Sequence, residues 1–181
     1  MRTHTLALQA HPATPAGFGQ ALDVTLNAGS DGSLHFIYVL RGDLTDLEIP
    51  AAAPARRTDE LWRRTCFEAF LRPAGQQGYL ELNFSPSSEW AAYSFSGYRK
   101  DMAAATLAAH PSIVCEYDSQ RLTLEARLTL TQPFATDVQL ALSAVVRERS
   151  GKISYWALRH APDKPDFHYE ASFAATLDGA L

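Results

Sequence analysis

Two successive segments combine carboxylate, amide and aromatic side chains at a spacing that suits a polar ligand. Residues 66–71 read CFEAFL, and residues 79–85 read YLELNFS. Strand side chains alternate between two faces, so Glu81 and Asn83 share one face of the second segment, and Glu68 has the matching parity in the first. Carboxylates and amides hydrogen-bond hydroxyl groups, while aromatic rings stack on flat molecules. The pattern indicates a site for a flat, hydroxyl-rich ligand.

The short connection between these segments decides whether their polar side chains meet. Residues 74–78 read AGQQG, a composition that favours a tight turn. A hairpin around this turn would place Glu68 on the same face as Glu81 and Asn83. Carboxylates that share a face are costly unless a ligand, a cation or an arginine joins them. Nearby arginines are Arg63, Arg64 and Arg99. A salt-bridged, solvent-exposed surface is the alternative interpretation.

Aromatic residues stand at both ends of this unit, which spans residues 61–98. Trp62 follows a Pro- and Ala-rich loop and precedes two arginines, so we expect it near a loop edge. Trp90 and Tyr93 follow the second segment, and Trp90 suits either the core or a pocket. Any of these rings could stack on a ligand.

A second group of polar side chains lies in residues 159–168, which read RHAPDKPDFH. His160, Asp163, Asp166 and His168 could bind a metal or act as acid and base. Their spacing matches no catalytic signature, however, and two prolines favour an extended loop. We therefore predict a loop that packs on the sheet, with no catalytic or metal-binding residue. The complete set of predicted ligand-binding residues is Trp62, Arg64, Glu68, Glu81, Asn83, Trp90, Tyr93, Arg99, His160 and His168.

Alternation of apolar and polar residues extends along most of the chain and predicts about ten short strands. Residues 100–110, KDMAAATLAAH, form the one predicted helix, because they are rich in alanine and end before a proline. Residues 43–50 are a candidate for a further short strand. The fold class is therefore all-β, an antiparallel β-sandwich with jelly-roll or immunoglobulin-like connections and little helix, in a single domain over residues 1–181.

Composition excludes several classes of function. The 181 residues carry a formal charge of -4 and no basic cluster, which argues against a nucleic-acid partner. No apolar run approaches the roughly 18–20 residues of a membrane span. The first residues lack the apolar segment of a secretory signal, so we expect a cytoplasmic protein. Cys66 and Cys115 stand in apolar strands and are expected to be buried free thiols.

Three longer segments together resemble a known family. They are LWRRTCFEAFL (61–71), GYLELNFSPSSEWAAYSFSGYR (78–99) and YWALRHAPDKPDFHYEASF (155–173). Their combination resembles bacterial DOMON-like domain proteins and, more distantly, the family 9 carbohydrate-binding modules. The resemblance implies a non-enzymatic β-sandwich with one site for a small carbohydrate on a sheet face or at its rim. It implies Trp62 as one stacking ring, with Glu68 and Asn83 as polar contacts. Trp90, Tyr93 or a residue near 160–168 would supply the second ring.

The same resemblance leaves other functions open, and the cofactor remains unassigned. Some DOMON domains bind haem through Met and His, for which Met102 with His160 or His168 would be the ligands. An enzyme would use His160, Asp166 and His168 as acid, base or metal ligands. A protein-interaction domain with no small ligand is the third alternative.

Overall fold

The computed structural model describes residues 2–17 and 19–179, and their regular structure is almost entirely antiparallel β-strand. Two 3₁₀ helices, Leu61–Arg63 and Glu170–Ser172, interrupt the strands. The strands are β1 (Arg2–Ala10), β2 (Ala21–Ala28), β3 (Ser33–Arg41), β4 (Cys66–Pro73), β5 (Tyr79–Phe84), β6 (Trp90–Phe95), β7 (Ala103–Ala104), β8 (Ser112–Tyr117), β9 (Arg121–Thr129), β10 (Val138–Arg147), β11 (Ile153–Ala157) and β12 (Ala175–Leu177).

The strands form two layers that share β1. The first layer has the order β1-β2-β3-β9-β8, and the second has the order β7-β6-β5-β4-β10-β11, with β12 also paired to β10. The two layers join because Arg2–Leu8 pairs with β2, whereas Gln9 and Ala10 pair with β11. The predicted antiparallel β-sandwich with little helix is confirmed.

The core lies between the inner faces of the two layers. Alternation places Phe36 and Tyr38 of β3 on the inner face of the first layer and Phe67 of β4 and Phe84 of β5 on that of the second. The Phe36 and Phe84 rings are 5.6 Å apart, and the Tyr38 and Phe67 rings are 5.1 Å apart. All four side chains are fully buried. This packing fixes which side chains of β4 and β5 point outward.

The β4–β5 hairpin carries its polar side chains on that outward face. Glu68 lies directly opposite Asn83, and Phe70 lies opposite Glu81. Directly opposed residues of an antiparallel pair project to the same side. The expectation that Glu68 shares a face with Glu81 and Asn83 is therefore confirmed.

The predicted helix over residues 100–110 is wrong. Within this segment Ala103 and Ala104 form β7 and pair with β6, and the rest is irregular. Asp101 has a left-handed φ of 52°, as does Arg99 before it with 51°. Bonding to a sheet edge thus outweighs the helix propensity of alanine. The short strand predicted over residues 43–50 is reduced to one bridge, between Leu47 and Glu148.

Candidate functional site

A cleft of about 360 Å³ lies on the outward face of the second layer. Strands β4 and β5 supply its floor, while the first 3₁₀ helix, the β6–β7 turn and the loop after β11 supply its walls. This volume lies within the range of small-molecule sites. Five of the predicted residues line it, namely Trp62, Glu68, Glu81, Arg99 and His168.

The two floor carboxyls are buried, and one oxygen of Glu68 lacks a hydrogen-bond partner. Glu68 is 3% exposed and Glu81 is 4% exposed. The Ser143 hydroxyl is 3.4 Å from Glu68 Oε2, while Glu68 Oε1 has no hydrogen-bond partner among the described residues. A buried polar atom without a partner costs about 1–3 kcal/mol. Glu68 Oε1 is therefore a position that a bound ligand would satisfy.

The protonation of these carboxyls follows from their burial. Burial raises the pKa of Glu68 well above its usual range, and the neighbouring Glu81 carboxylate raises it further. Burial also raises the pKa of Glu81 to about 6, although the Asn83 hydrogen bond and the Arg99 charge oppose the effect. Both carboxyls therefore hold their protons to a higher pH than solvent-exposed glutamates do.

Asn83 lies beneath the cleft and positions Glu81. Its side chain is fully buried and does not line the cleft. The Asn83 amide donates to Glu81 Oε1 over 2.7 Å, and its carbonyl lies 3.8 Å from the Cys66 sulfur, which donates to it. Its polar atoms are directed to Glu81 and Cys66, so its predicted role as a ligand contact stays a prediction that the cleft geometry does not favour.

Asp166 fastens the β6–β7 turn to the loop after β11. Its carboxylate accepts hydrogen bonds from the Tyr98 hydroxyl at 2.6 Å, the Arg99 guanidinium at 2.8 Å and the His168 backbone N–H at 3.1 Å. Burial alone would raise the pKa of Asp166, but the bonds from Tyr98 and Arg99 outweigh it and lower that pKa. The guanidinium of Arg99 is thus paired with Asp166 rather than with either floor carboxyl.

His168 stands between this loop and the cleft floor. Its Nδ1 is 2.7 Å from the Tyr79 hydroxyl, and its Nε2 is 3.7 Å from Glu81 Oε2. The Arg99 backbone N–H donates to the same Tyr79 oxygen at 3.2 Å, which leaves the hydroxyl hydrogen for Nδ1. Burial lowers the pKa of His168 to about 4, and the Arg99 charge adds to the effect. The imidazole is neutral near neutral pH, so its contact with Glu81 is not an ion pair there.

Aromatic rings form much of the wall. They are Trp62, Phe95, Tyr155 and Phe167. Trp62 is only partly buried, and its ring meets the edge of Tyr93 at 5.9 Å. The rings of Tyr155 and Phe167 are also 5.9 Å apart. The cleft therefore combines an accessible indole with a buried acidic floor.

Tyr93 supports Trp62 from behind without lining the cleft. It is 3% exposed, and its hydroxyl donates to Asp59 over 2.6 Å. The Arg57 guanidinium lies 5.2 Å from the centre of its ring. Tyr93 thereby holds the segment that carries Trp62, and the structure does not place its ring in the lining of the cleft.

Three further predicted residues lie away from the cleft. Trp90 lies opposite Phe84, which puts it on the inner face and in the core. Arg64 is exposed and lines a separate depression beside the first 3₁₀ helix. His160 bonds the Gln9 carbonyl at 2.6 Å. The structure therefore does not bring these three residues together at the cleft.

The residues proposed as haem ligands do not all lie at the cleft. Met102 and His168 both line the cleft, whereas His160 does not. Both ring nitrogens of His168 already face Tyr79 and Glu81. Among residues 2–17 and 19–179, no three or more His, Cys, Asp or Glu residues are grouped to hold a metal ion.

In the same residues no helix has the length and apolar character needed to cross a membrane.

Sequence reasoning missed three of the wall rings, and local signals for them existed. Phe95 lies two residues after Tyr93 and so shares its strand face. Tyr155 alternates with the core residue Trp156, which directs it outward. Phe167 directly precedes His168 in the loop whose packing on the sheet was expected.

Comparison with known proteins establishes the fold. The chain matches no protein-family model, and no curated protein matches its sequence. A candidate carbohydrate-binding protein from Bacteroides uniformis is similar in structure, with a TM-score of 0.65, 11% identity, and coverage of 98% of this chain and 85% of that one. A family 9 carbohydrate-binding module from Caldicellulosiruptor kristjanssonii in complex with cellotriose gives a TM-score of 0.54 at 10% identity, covering 98% of this chain and 80% of that one. A family 9 carbohydrate-binding module from the same organism in complex with glucose gives a TM-score of 0.53 at 12% identity, covering 90% of this chain and 78% of that one. These likenesses show a common β-sandwich fold.

Proposed function

We propose that the cleft binds a small carbohydrate or a related polar ligand and leaves it chemically unchanged. The observation that carries the proposal is the meeting of an accessible indole, Trp62, with the buried and incompletely hydrogen-bonded carboxyl of Glu68. A sugar ring presents a flat C–H face to an aromatic ring and hydroxyl donors to carboxylates. One ligand would therefore satisfy both features.

The remaining cleft residues would complete the recognition. Glu81 is ionised near neutral pH and accepts hydrogen bonds from hydroxyls. The guanidinium of Arg99 is half exposed at the rim, where its remaining N–H groups donate to ligand oxygens. Each such bond replaces one to water, so the net gain is small and we expect weak binding.

The structural neighbours add support from the fold alone. Two of them are carbohydrate-binding modules in complex with cellotriose and with glucose. Their low identity transfers no residue role to this chain. The proposal for this chain therefore rests on its own cleft.

A catalytic role has less support, because the candidate acid and base are engaged elsewhere. The Asp166 carboxylate holds three donors of the surrounding loop. Both nitrogens of His168 face protein groups. We therefore expect the sugar to be recovered unchanged after incubation with the protein.

Isothermal titration calorimetry with hexoses and short glucans tests this function. We expect saturable binding by the wild-type protein and its loss in Trp62→Ala, because truncation of a central aromatic contact at a binding site costs about 2 kcal/mol or more. Tyr117→Ala is the matched control, since it removes an exposed ring from the far layer of the sandwich.

Two results would contradict the proposal. One is the absence of binding by folded wild-type protein across the panel. The other is equal binding by wild type and Trp62→Ala, which would move any sugar site away from this cleft. Circular dichroism and thermal unfolding establish that each variant is folded.

A further inference from the structure

We infer that the carbohydrate bound in this cleft carries a protonated amino group, which lies against the carboxyls of Glu68 and Glu81. The inference rests on the proposed function and names the class of sugar. It starts from the floor of the cleft, where two acidic side chains are buried on adjacent strands.

The two carboxyls are close enough to act on one group. Glu68 is opposite Asn83, and Glu81 lies two residues before Asn83 on the same face. Such diagonal neighbours have backbone positions about 7–8 Å apart, a separation that two glutamate side chains can span. Glu68 lines the cleft, and its Oε1 is buried and has no partner among the described residues. It is the atom that a ligand donor would reach.

The protein groups around this pair supply no cation in contact with it. On the strands, Cys66, Tyr79 and Ser143 face the pair and are uncharged near neutral pH, because burial raises the pKa of Cys66 and of Tyr79. From the loops come Arg99, Asp166 and His168. The Arg99 guanidinium is bound to Asp166 at 2.8 Å, and His168 is neutral. In the part of the chain that the structure describes, neither floor carboxyl has a lysine or arginine within 4.0 Å.

A protonated amine matches this environment better than a hydroxyl does. An ammonium group offers three donors and one positive charge, whereas a hydroxyl offers one donor and no charge. Its charge offsets the desolvation of a carboxylate at a buried position. The rings of Trp62 and Phe95 in the same cleft add a surface that attracts cations.

Binding of the amine has a defined proton balance. Burial and the neighbouring Glu81 carboxylate raise the pKa of Glu68, so the empty pair favours the protonated form of Glu68. A bound ammonium favours the carboxylate form of Glu68, so this proton leaves for solvent while the amine keeps its own. A neutral sugar provides no such charge, and the pair then retains its proton. Proton release therefore distinguishes the two kinds of ligand.

Matched sugars test the inference by calorimetry. The panel pairs each hexose with its amino-deoxy derivative, with the amine at C2 or at C6, and with the N-acetylated form. Titrations in phosphate and in MOPS, whose heats of ionisation differ, report protons released on binding. We expect an amino sugar to bind at least about tenfold more tightly than its parent and its N-acetyl form, with proton release.

A substitution locates the effect. Glu68→Gln keeps the shape of the side chain and removes its acidity, so we expect it to abolish the proton release and to bring the ratio of the amino-sugar and parent-hexose affinities close to one, whatever its effect on sugar affinity itself. Glu116→Gln, an exposed position on β8, is the control and should change neither.

The outcomes separate this inference from the function on which it rests. If the parent hexoses bind as tightly as all the amino sugars, the inference is wrong and the carbohydrate function stands. If Glu68→Gln retains the preference for the amine, the inference is also wrong. If no sugar binds the folded protein, the proposed function fails and the inference fails with it.

Discussion

The buried carboxyl of Glu81 should give the protein a dependence of stability on pH that needs no ligand to be measured. Burial raises the pKa of Glu81 from 4.5 to about 6. Because the pKa is higher in the folded state than in the unfolded state, folding favours the protonated form. The resulting contribution to folding stability is fully present below pH 4.5 and is lost as the pH rises through 6. Each pKa unit corresponds to about 1.36 kcal/mol, so the loss amounts to about 2 kcal/mol.

Glu81→Gln removes this ionisation while its carbonyl oxygen can still accept the hydrogen bond from Asn83. We expect the variant and the wild type to have similar free energies of unfolding below 4.5, where the Glu81 carboxyl is already neutral. Above 6 the variant should be more stable by about 2 kcal/mol. Urea unfolding across this pH range, at constant m-value, measures the difference. Glu116→Gln, which alters an exposed carboxyl, is the control.

The difference between the two proteins is the informative quantity, because His168 acts in the opposite direction. Burial lowers the pKa of His168 from 6.5 to about 4. Its contribution to stability is therefore present above 6.5 and is lost as the pH falls through 4, by about 3 kcal/mol. The wild-type curve alone mixes both effects. Subtraction of the variant curve removes the contribution of His168 and leaves that of Glu81 together with its coupling to Glu68. A difference that stays flat across the range, or a variant that is less stable above 6, would refute the reasoning.

Two further predictions concern the loop over the cleft and the thiol beneath it. Asp166→Asn removes the charge that holds Tyr98 and Arg99, so amide hydrogen exchange in residues 166–168 should quicken and stability should fall by about 1 kcal/mol. Asp163→Asn, an exposed change in the same loop, should do neither. Cys66 is fully buried, and its pKa is raised by burial and by the nearby glutamates. In a Cys115→Ser variant, an aromatic disulfide reagent should therefore label Cys66 only at the rate at which the folded protein opens to expose it. Rapid labelling of folded protein would contradict that burial.

The floor of the cleft could be predicted because it depends on local pattern alone. Strand periodicity separates Glu68 from its neighbours Phe67 and Ala69, and a short turn forces the two strands to pair. Once the strands pair, Glu81 and Asn83 must lie on the same sheet face as Glu68. These interactions span few residues, so the sequence contains the information in one place.

The sequence alone could not assign a sheet face where two alternating sets of side chains looked alike. In β6 both sets contain an aromatic, Trp90 in one and Tyr93 in the other. Only pairing with β5 assigns them, because Trp90 lies opposite the core residue Phe84. The alanine-rich segment failed for a related reason. Its intrinsic preference is weak, and hydrogen bonds to β6 decide its conformation.

The burial of the carboxyls could not be predicted from their own strands, because distant segments create it. Arg72 of β4 binds both oxygens of Glu170, at 2.6 and 2.8 Å, and its guanidinium lies 4.1 Å from the centre of the Phe173 ring. These contacts, with the Asp166 network, hold the segment after β11 over the sheet. Without that cover the two glutamates would be ordinary solvated side chains with ordinary acidity. The chemistry of the cleft is therefore a property of the contact between the β4–β5 hairpin and a loop nearly a hundred residues later, and substitutions in that loop should alter the pKa of Glu81 without touching it.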